Sequence, residues 1–226
     1  MRWPFTKFAP GTLLLSTLPL AALSYFLSRE TPGWWWIAPL PLLLFFAAFF
    51  RDPERSAEGT EDDLVSPADG VVADIVTVDD PALSEPSTRI GIFLSVFDVH
   101  VNRVPCSGVV TRIDQRVGAC LDARNQRASE ENRAATIVLR RADGRTLAVR
   151  QITGLIARRI ICPVESGRRF ARGERYGMIR FGSRTELIVP TSALDELCCK
   201  VGDTVRGGRT LLAKLQPSPY GDDTPR

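Results

Sequence analysis

The chain has 226 residues, enough for one folded domain and an appendage. Its 24% charged and 44% hydrophobic residues are ordinary globular usage and exclude a disordered chain. A net charge of +3 without a Lys/Arg block gives no argument for nucleic acid, and a single histidine, His100, excludes a multi-histidine metal site.

The N-terminus reads as a hydrophobic helical hairpin. Residues 10–28 and 34–50 carry no charge. As helices they would be about 28 Å and about 26 Å long, close to the roughly 30 Å hydrocarbon thickness of a bilayer. Pro19, Pro39 and Pro41 interrupt them, which membrane helices tolerate but which also permits a re-entrant or shallow hairpin. Trp34, Trp35 and Trp36 have the character of an interfacial belt. Arg2 and Lys7 precede the runs, and Arg51 and Arg55 follow them, so the positive-inside bias puts both ends and the remaining chain in the cytoplasm. A cleaved signal peptide is the rival reading, weakened by the second apolar run directly after the first.

Residues 51–64 are charged and read as a linker. From 65 to 215 the sequence alternates short β-type runs with Gly and Pro: VVADIVTV, RIGIFLSV, GVVTRI, ATIVLR, TLAVRQITGLIA, ELIVP and TLLAKL. That spacing predicts a mostly β domain, a sandwich or barrel. Residues 126–132 are readable as a short helix or a loop, and 216–226 as a flexible tail. The Gly-punctuated hairpins around Val164–Glu174 and Lys200–Leu211 resemble lipoyl-type β-sandwiches, although no MKM or DKA carrier lysine occurs. Five cysteines without a CxxC spacing read as reduced and structural.

Gly182 and Ser183 lie between two β-type runs, YGMIRF and ELIVP. By pattern alone such a pair is a turn. A serine hydrolase using Ser183, His100 and an aspartate is also open, but no GxSxG elbow surrounds the serine.

The stretch YGMIRFGSRTELIVP, Tyr176 to Pro190, resembles the self-cleavage site of the phosphatidylserine decarboxylases. Other segments resemble the same family in the same order. They are FFRDPER after the membrane anchor, SPADG around Asp69, FLSVFDVHVNRVP around His100, and ASEENR at Ala128–Arg133. The resemblance spans about residues 30–215 and the short prokaryotic branch.

The resemblance implies that the Ser183 hydroxyl attacks the Gly182 carbonyl. A β chain would then end at Gly182, and an α chain would begin at Ser183 with a pyruvoyl group formed from that serine. The pyruvoyl would form a Schiff base with phosphatidylserine and release CO₂, leaving phosphatidylethanolamine, with no metal and no pyridoxal phosphate. His100 is the expected proton donor or carboxylate-positioning group, and Asp69 the expected partner in self-cleavage, with Asp98 as an alternative. Longer members carry a second histidine three residues after the first; here that position is Arg103, assigned to phosphate or carboxylate binding. The implied setting is the cytoplasmic side of the inner cell membrane, with the α and β chains staying associated, no nucleic acid, and homo-oligomerisation left open. Three rivals remain: a pyruvoyl enzyme with a soluble amino-acid substrate, the Ser183/His100 hydrolase, and a non-catalytic lipoyl-like module.

Overall fold

The computed structural model describes residues 5–31, 33–125, 127–155, 159–180 and 182–217, so most of the 216–226 tail lies outside the described residues. The chain divides into two units, Met1–Glu54 and Arg55–Arg226. In the first, α1 (Pro10–Glu30) starts on a proline, whose missing N–H costs nothing at a helix start. Pro19 lies inside α1; Ser16 and Thr17, just before it, return their hydroxyls to backbone carbonyls one turn back, Thr17 to Leu13 at 2.7 Å. The second apolar run is a 3₁₀ turn (Trp35–Ile37) followed by α2 (Leu40–Phe49). α1, at about 1.5 Å per residue, is the one described helix long and apolar enough to cross a membrane; α2 reaches about half that length. Leu14, Leu15, Leu18, Phe26 and the three tryptophans are exposed.

The second unit is mostly β, as its alternating pattern requires. In chain order the strands are β1 (Asp63–Val65), β2 (Gly70–Val78), β3 (Ser87–Leu94), β4 (Val101–Arg103) and β5 (Gly108–Arg116). A single helical turn, α3 (Ala128–Glu131), precedes β6 (Ala134–Arg140), β7 (Thr146–Ile152), β8 (Ile160–Ile161) and β9 (Arg169–Phe170). Then come β10 (Arg175–Ile179), β11 (Ser183–Pro190), β12 (Leu194–Leu197), β13 (Thr204–Val205) and β14 (Leu211–Leu215). Eight of them form one curled antiparallel sheet, a half-barrel, in the order β13-β2-β3-β11-β7-β6-β5-β9. Two small sheets, β1-β14-β12 and β4-β10-β8, complete the unit.

β11 is a central strand of the large sheet, flanked by β3 and β7, and all eight of its residues are buried. Side chains alternate across a strand, so Ser183, Thr185, Leu187 and Val189 share one face. Leu187 and Val189 enter the main core with Ile90, Ile92, Leu94, Leu139 and Val149. Each such fully buried aliphatic side chain contributes about 1.5–3 kcal/mol. On the other face, Ile188 packs with Ala82, Leu83, Val138 and Ala148.

Candidate active site

Gly182 and Ser183 stand where the chain enters β11. Gly182 has φ +56, a left-handed conformation that is easy for glycine and strained for residues with a side chain. Ser183 is the first residue of β11 and pairs with Leu94 of β3. Its side chain is fully buried, and Oγ has no hydrogen-bond partner among the described residues. Buried hydroxyls without a partner are uncommon and costly, and they concentrate where chemistry is done.

His100 reaches the same end of the sheet by a second route. β3 ends at Leu94, opposite Ser183; a turn follows, closed by the Ser95 N–H donating to Asp98 Oδ2 at 2.8 Å. His100 comes next, fully buried, with Nδ1 at 2.8 Å from the Asp98 carbonyl. A carbonyl only accepts, so Nδ1 holds the proton and Nε2 is the basic nitrogen of the neutral ring. β4 then pairs with β10, and the Ile179 N–H donates to the His100 carbonyl at 3.2 Å. His100 is thereby held beside Ile179, the last residue of β10.

Asp69, the expected partner in self-cleavage, is held in an ion pair with Arg55. It precedes β2, and its carboxylate is gripped on both oxygens by the Arg55 guanidinium, with Oδ2 at 2.8 Å from Nη2. Oδ1 also accepts the Gly207 N–H at 2.8 Å. β2 is two strands away from β11 in the sheet, about 10 Å at the usual spacing. Asp98 gives its carboxylate to Ser95 and its carbonyl to His100. Arg103 is buried on β4; its Nη1 donates to the Gly173 carbonyl at 2.9 Å, and its stem packs on Gly208.

Several further polar residues near the serine are not singled out in the sequence. Thr185 shares the face of Ser183, and its Oγ1 accepts from Asn102 Nδ2 at 2.9 Å; Asn102 Oδ1 accepts from Gln151 Nε2 at 2.7 Å. All three are fully buried, so β4, β7 and β11 are tied by one polar chain beneath the serine. Behind β11, Arg184 donates to Glu186 at 2.8 Å and to Asp74 at 2.7 Å. Glu186 also accepts from Ser129 at 2.5 Å and from Arg150 at 3.3 Å, and Arg150 forks onto Asp80 at 2.8 and 2.6 Å. Burial pushes Asp80 up, but the Arg150 guanidinium, the Ala82 N–H and Arg89 outweigh it and hold the carboxyl below its ordinary value. The alternation S-R-T-E at the head of an otherwise apolar strand was the available signal: two polar residues for each face.

Two cavities, of about 210 Å³ at Glu85 and Ser192 and of about 400 Å³ at Arg112 and Arg116, are lined by neither Ser183 nor His100. The serine is closed off in the continuous chain.

The sequence profile of the phosphatidylserine decarboxylase family matches residues 42–213. A protein of Rhodopirellula baltica named phosphatidylserine decarboxylase proenzyme is 40% identical over 94% of this chain and 89% of its own length. Proteins of the same name are 43% identical in Geobacter sulfurreducens, over 94% of both chains, and 44% identical in Cereibacter sphaeroides, over 92% of this chain and 85% of that one. By that match and those relatives, this chain belongs to the phosphatidylserine decarboxylase family.

Proposed function

We propose that the chain is the precursor of a self-processing decarboxylase that converts phosphatidylserine to phosphatidylethanolamine and CO₂ at a membrane surface. The observation that carries this is the Gly182–Ser183 junction: a left-handed glycine followed by a buried serine hydroxyl with no hydrogen-bond partner among the described residues. The Ser183 Oγ–Gly182 carbon bond forms and the Gly182–Ser183 C–N bond breaks, turning the amide into an ester. Elimination at Ser183 then releases the Gly182 carboxylate. Hydrolysis of the resulting enamine loses ammonia and leaves a pyruvoyl end on the chain Ser183–Arg226.

That group suits its surroundings, since the strand it heads is fixed on both sides and the buried hydroxyl it replaces has no hydrogen bond to lose. The pyruvoyl carbonyl supplies an electrophile for the substrate amine and a sink for the electrons released with CO₂. His100, with its ring oriented by the Asp98 carbonyl, is the residue to hold or return a proton at Nε2. For Arg103, the buried guanidinium on the Gly173 carbonyl supports a role in bracing β4; a role towards phosphate or carboxylate requires Arg103→Ala to alter lipid turnover. For Asp69, the ion pair with Arg55 supports a role through the position of β2; direct partnership in self-cleavage requires Asp69→Asn to lose cleavage at an unchanged thermal midpoint.

The new chain is expected to stay with the old one. β11 is hydrogen-bonded between β3 and β7, β13 pairs with β2, and β14 with β1. Separating the two chains would open the core. Since Ser183 is buried in the uncut chain, cleavage must also free the Gly182 end to admit substrate. α1, with its exposed apolar side chains, supports attachment to the bilayer that holds the lipid. The basic residues flanking the apolar segments favour the cytoplasmic side.

The test is conversion of phosphatidylserine in mixed vesicles by the purified full chain, with Ser183→Ala beside it. Phosphatidylethanolamine formed by the wild type and not by the variant supports the reading. Hydrolysis of an ester by an uncut wild-type chain would instead establish the serine hydrolase.

A further inference from the structure

Gly154 lies just past the end of β7. The register pairs Ile152 with Arg184, and two residues further on it sets Gly154 opposite Gly182. The backbones meet closely there: a Cβ on Gly154 would overlap the Gly182 carbonyl oxygen. The Gly154 hydrogen in that direction therefore faces this oxygen, a weak Cα–H···O contact that only glycine permits at such an approach.

The corner that presents Gly154 is held from behind. Asn132, fully buried, donates from Nδ2 to the Thr153 carbonyl at 2.7 Å and to the Leu121 carbonyl at 2.9 Å, while its Oδ1 accepts the Leu121 N–H at 2.8 Å. The Thr153 N–H donates to the Arg133 carbonyl at 3.0 Å. Ala123 Cβ would also lie 3.2 Å from a Cβ on Gly154, a second but looser contact for that Cβ. The corner is a fixed stop, and the carbonyl it meets is the one Ser183 must attack.

We propose that Gly154 is a positioning residue for self-cleavage, its missing side chain leaving the space in which the Gly182 carbonyl sits. This rests on the self-cleavage reading above. In the attack step the Ser183 Oγ–Gly182 carbon bond forms, the carbonyl oxygen takes up the electron pair, and collapse expels the Ser183 nitrogen, which gains the hydroxyl proton. A displacement of the carbonyl by about 1 Å is enough to slow such a step by about a hundredfold.

The experiment follows cleavage with time by intact mass in full-length wild type, Gly154→Ala and the double variant Gly154→Ala/Ala123→Gly. Thermal midpoints are compared between Ser183→Ala and Ser183→Ala/Gly154→Ala, neither of which can cleave. The expected result is cleavage slowed at least about tenfold by Gly154→Ala and not restored by Ala123→Gly, with the two midpoints within about 3 °C. Wild-type cleavage in Gly154→Ala would overturn the proposal. So would recovery in the double variant or a large fall in midpoint, either of which makes the effect one of packing. Failure of the wild type to cleave would overturn the self-cleavage reading itself, a different result from failure of the variant to slow.

Discussion

Arg55 and Asp69, fourteen residues apart and in two separate sequence motifs, form one forked ion pair that also holds the Gly207 N–H. Both side chains are about nine-tenths buried, so neither charge is well served by water once the other is removed. Arg55→Ala is expected to cost about 3–5 kcal/mol of stability. Asp69→Asn keeps an acceptor for Gly207 and should cost less. If Asp69 acts through this pair, cleavage rates in both variants will follow their thermal midpoints. Loss of cleavage in Asp69→Asn with an unchanged midpoint would show direct participation in the chemistry.

The charges behind β11 set an acid limit. Asp80 is held below its ordinary value of 3.8, with burial opposing and Arg150 prevailing. A carboxyl lowered on folding adds stability that is fully present above the unfolded value and is lost as pH falls through the folded one. Stability is therefore expected to hold from neutrality down to about pH 4 and to fall below that as this carboxyl is protonated. Urea unfolding from pH 7 to pH 2.5 measures it. Asp80→Asn should be about 3–5 kcal/mol less stable at pH 7 and show a shallower acid decline.

Much of this was legible in the sequence. Period-two runs between glycines gave the strands, and the uncharged N-terminal runs gave the helices, although Pro39 and Pro41 confine the second to Leu40–Phe49. Gly182, Ser183 and His100 were marked by motif. Gln151 and Gly154 lie outside every motif, and Asn102 and Thr185, though inside two of them, were not singled out, because their roles come from pairings between strands distant in sequence, such as Ile152 with Arg184. Asp69 shows the converse: a motif marks the residue, but its partner is known only once the fold brings Arg55 to it.

A His100 variant separates cleavage from turnover in the proposed chemistry. On the proposal that His100 handles the proton at Nε2, its loss should lower lipid turnover per pyruvoyl about 10²–10⁴-fold, the usual span for general acid–base catalysis. His100→Ala, assayed for phosphatidylethanolamine formation and for pyruvoyl content, measures both. Full turnover in a cleaved His100→Ala enzyme would remove the residue from the mechanism.

The exposed apolar face of α1 is the proposed bilayer contact. Leu15→Arg together with Leu18→Arg adds a penalty of about 2.5–3.5 kcal/mol for each charge at the centre of a membrane helix. Co-sedimentation with phospholipid vesicles should fall at least tenfold, and retention of the double variant on vesicles would contradict a membrane role for α1.

The central claim is that Gly182–Ser183 is a bond the protein cuts in itself, and intact mass spectrometry of the purified full-length chain tests it most directly. The expected result is two fragments that co-purify, Met1–Gly182 and a Ser183–Arg226 piece whose N-terminus is a pyruvoyl group blocked to sequencing, with Ser183→Ala remaining whole. A single uncut chain from folded, membrane-extracted wild type would contradict the account.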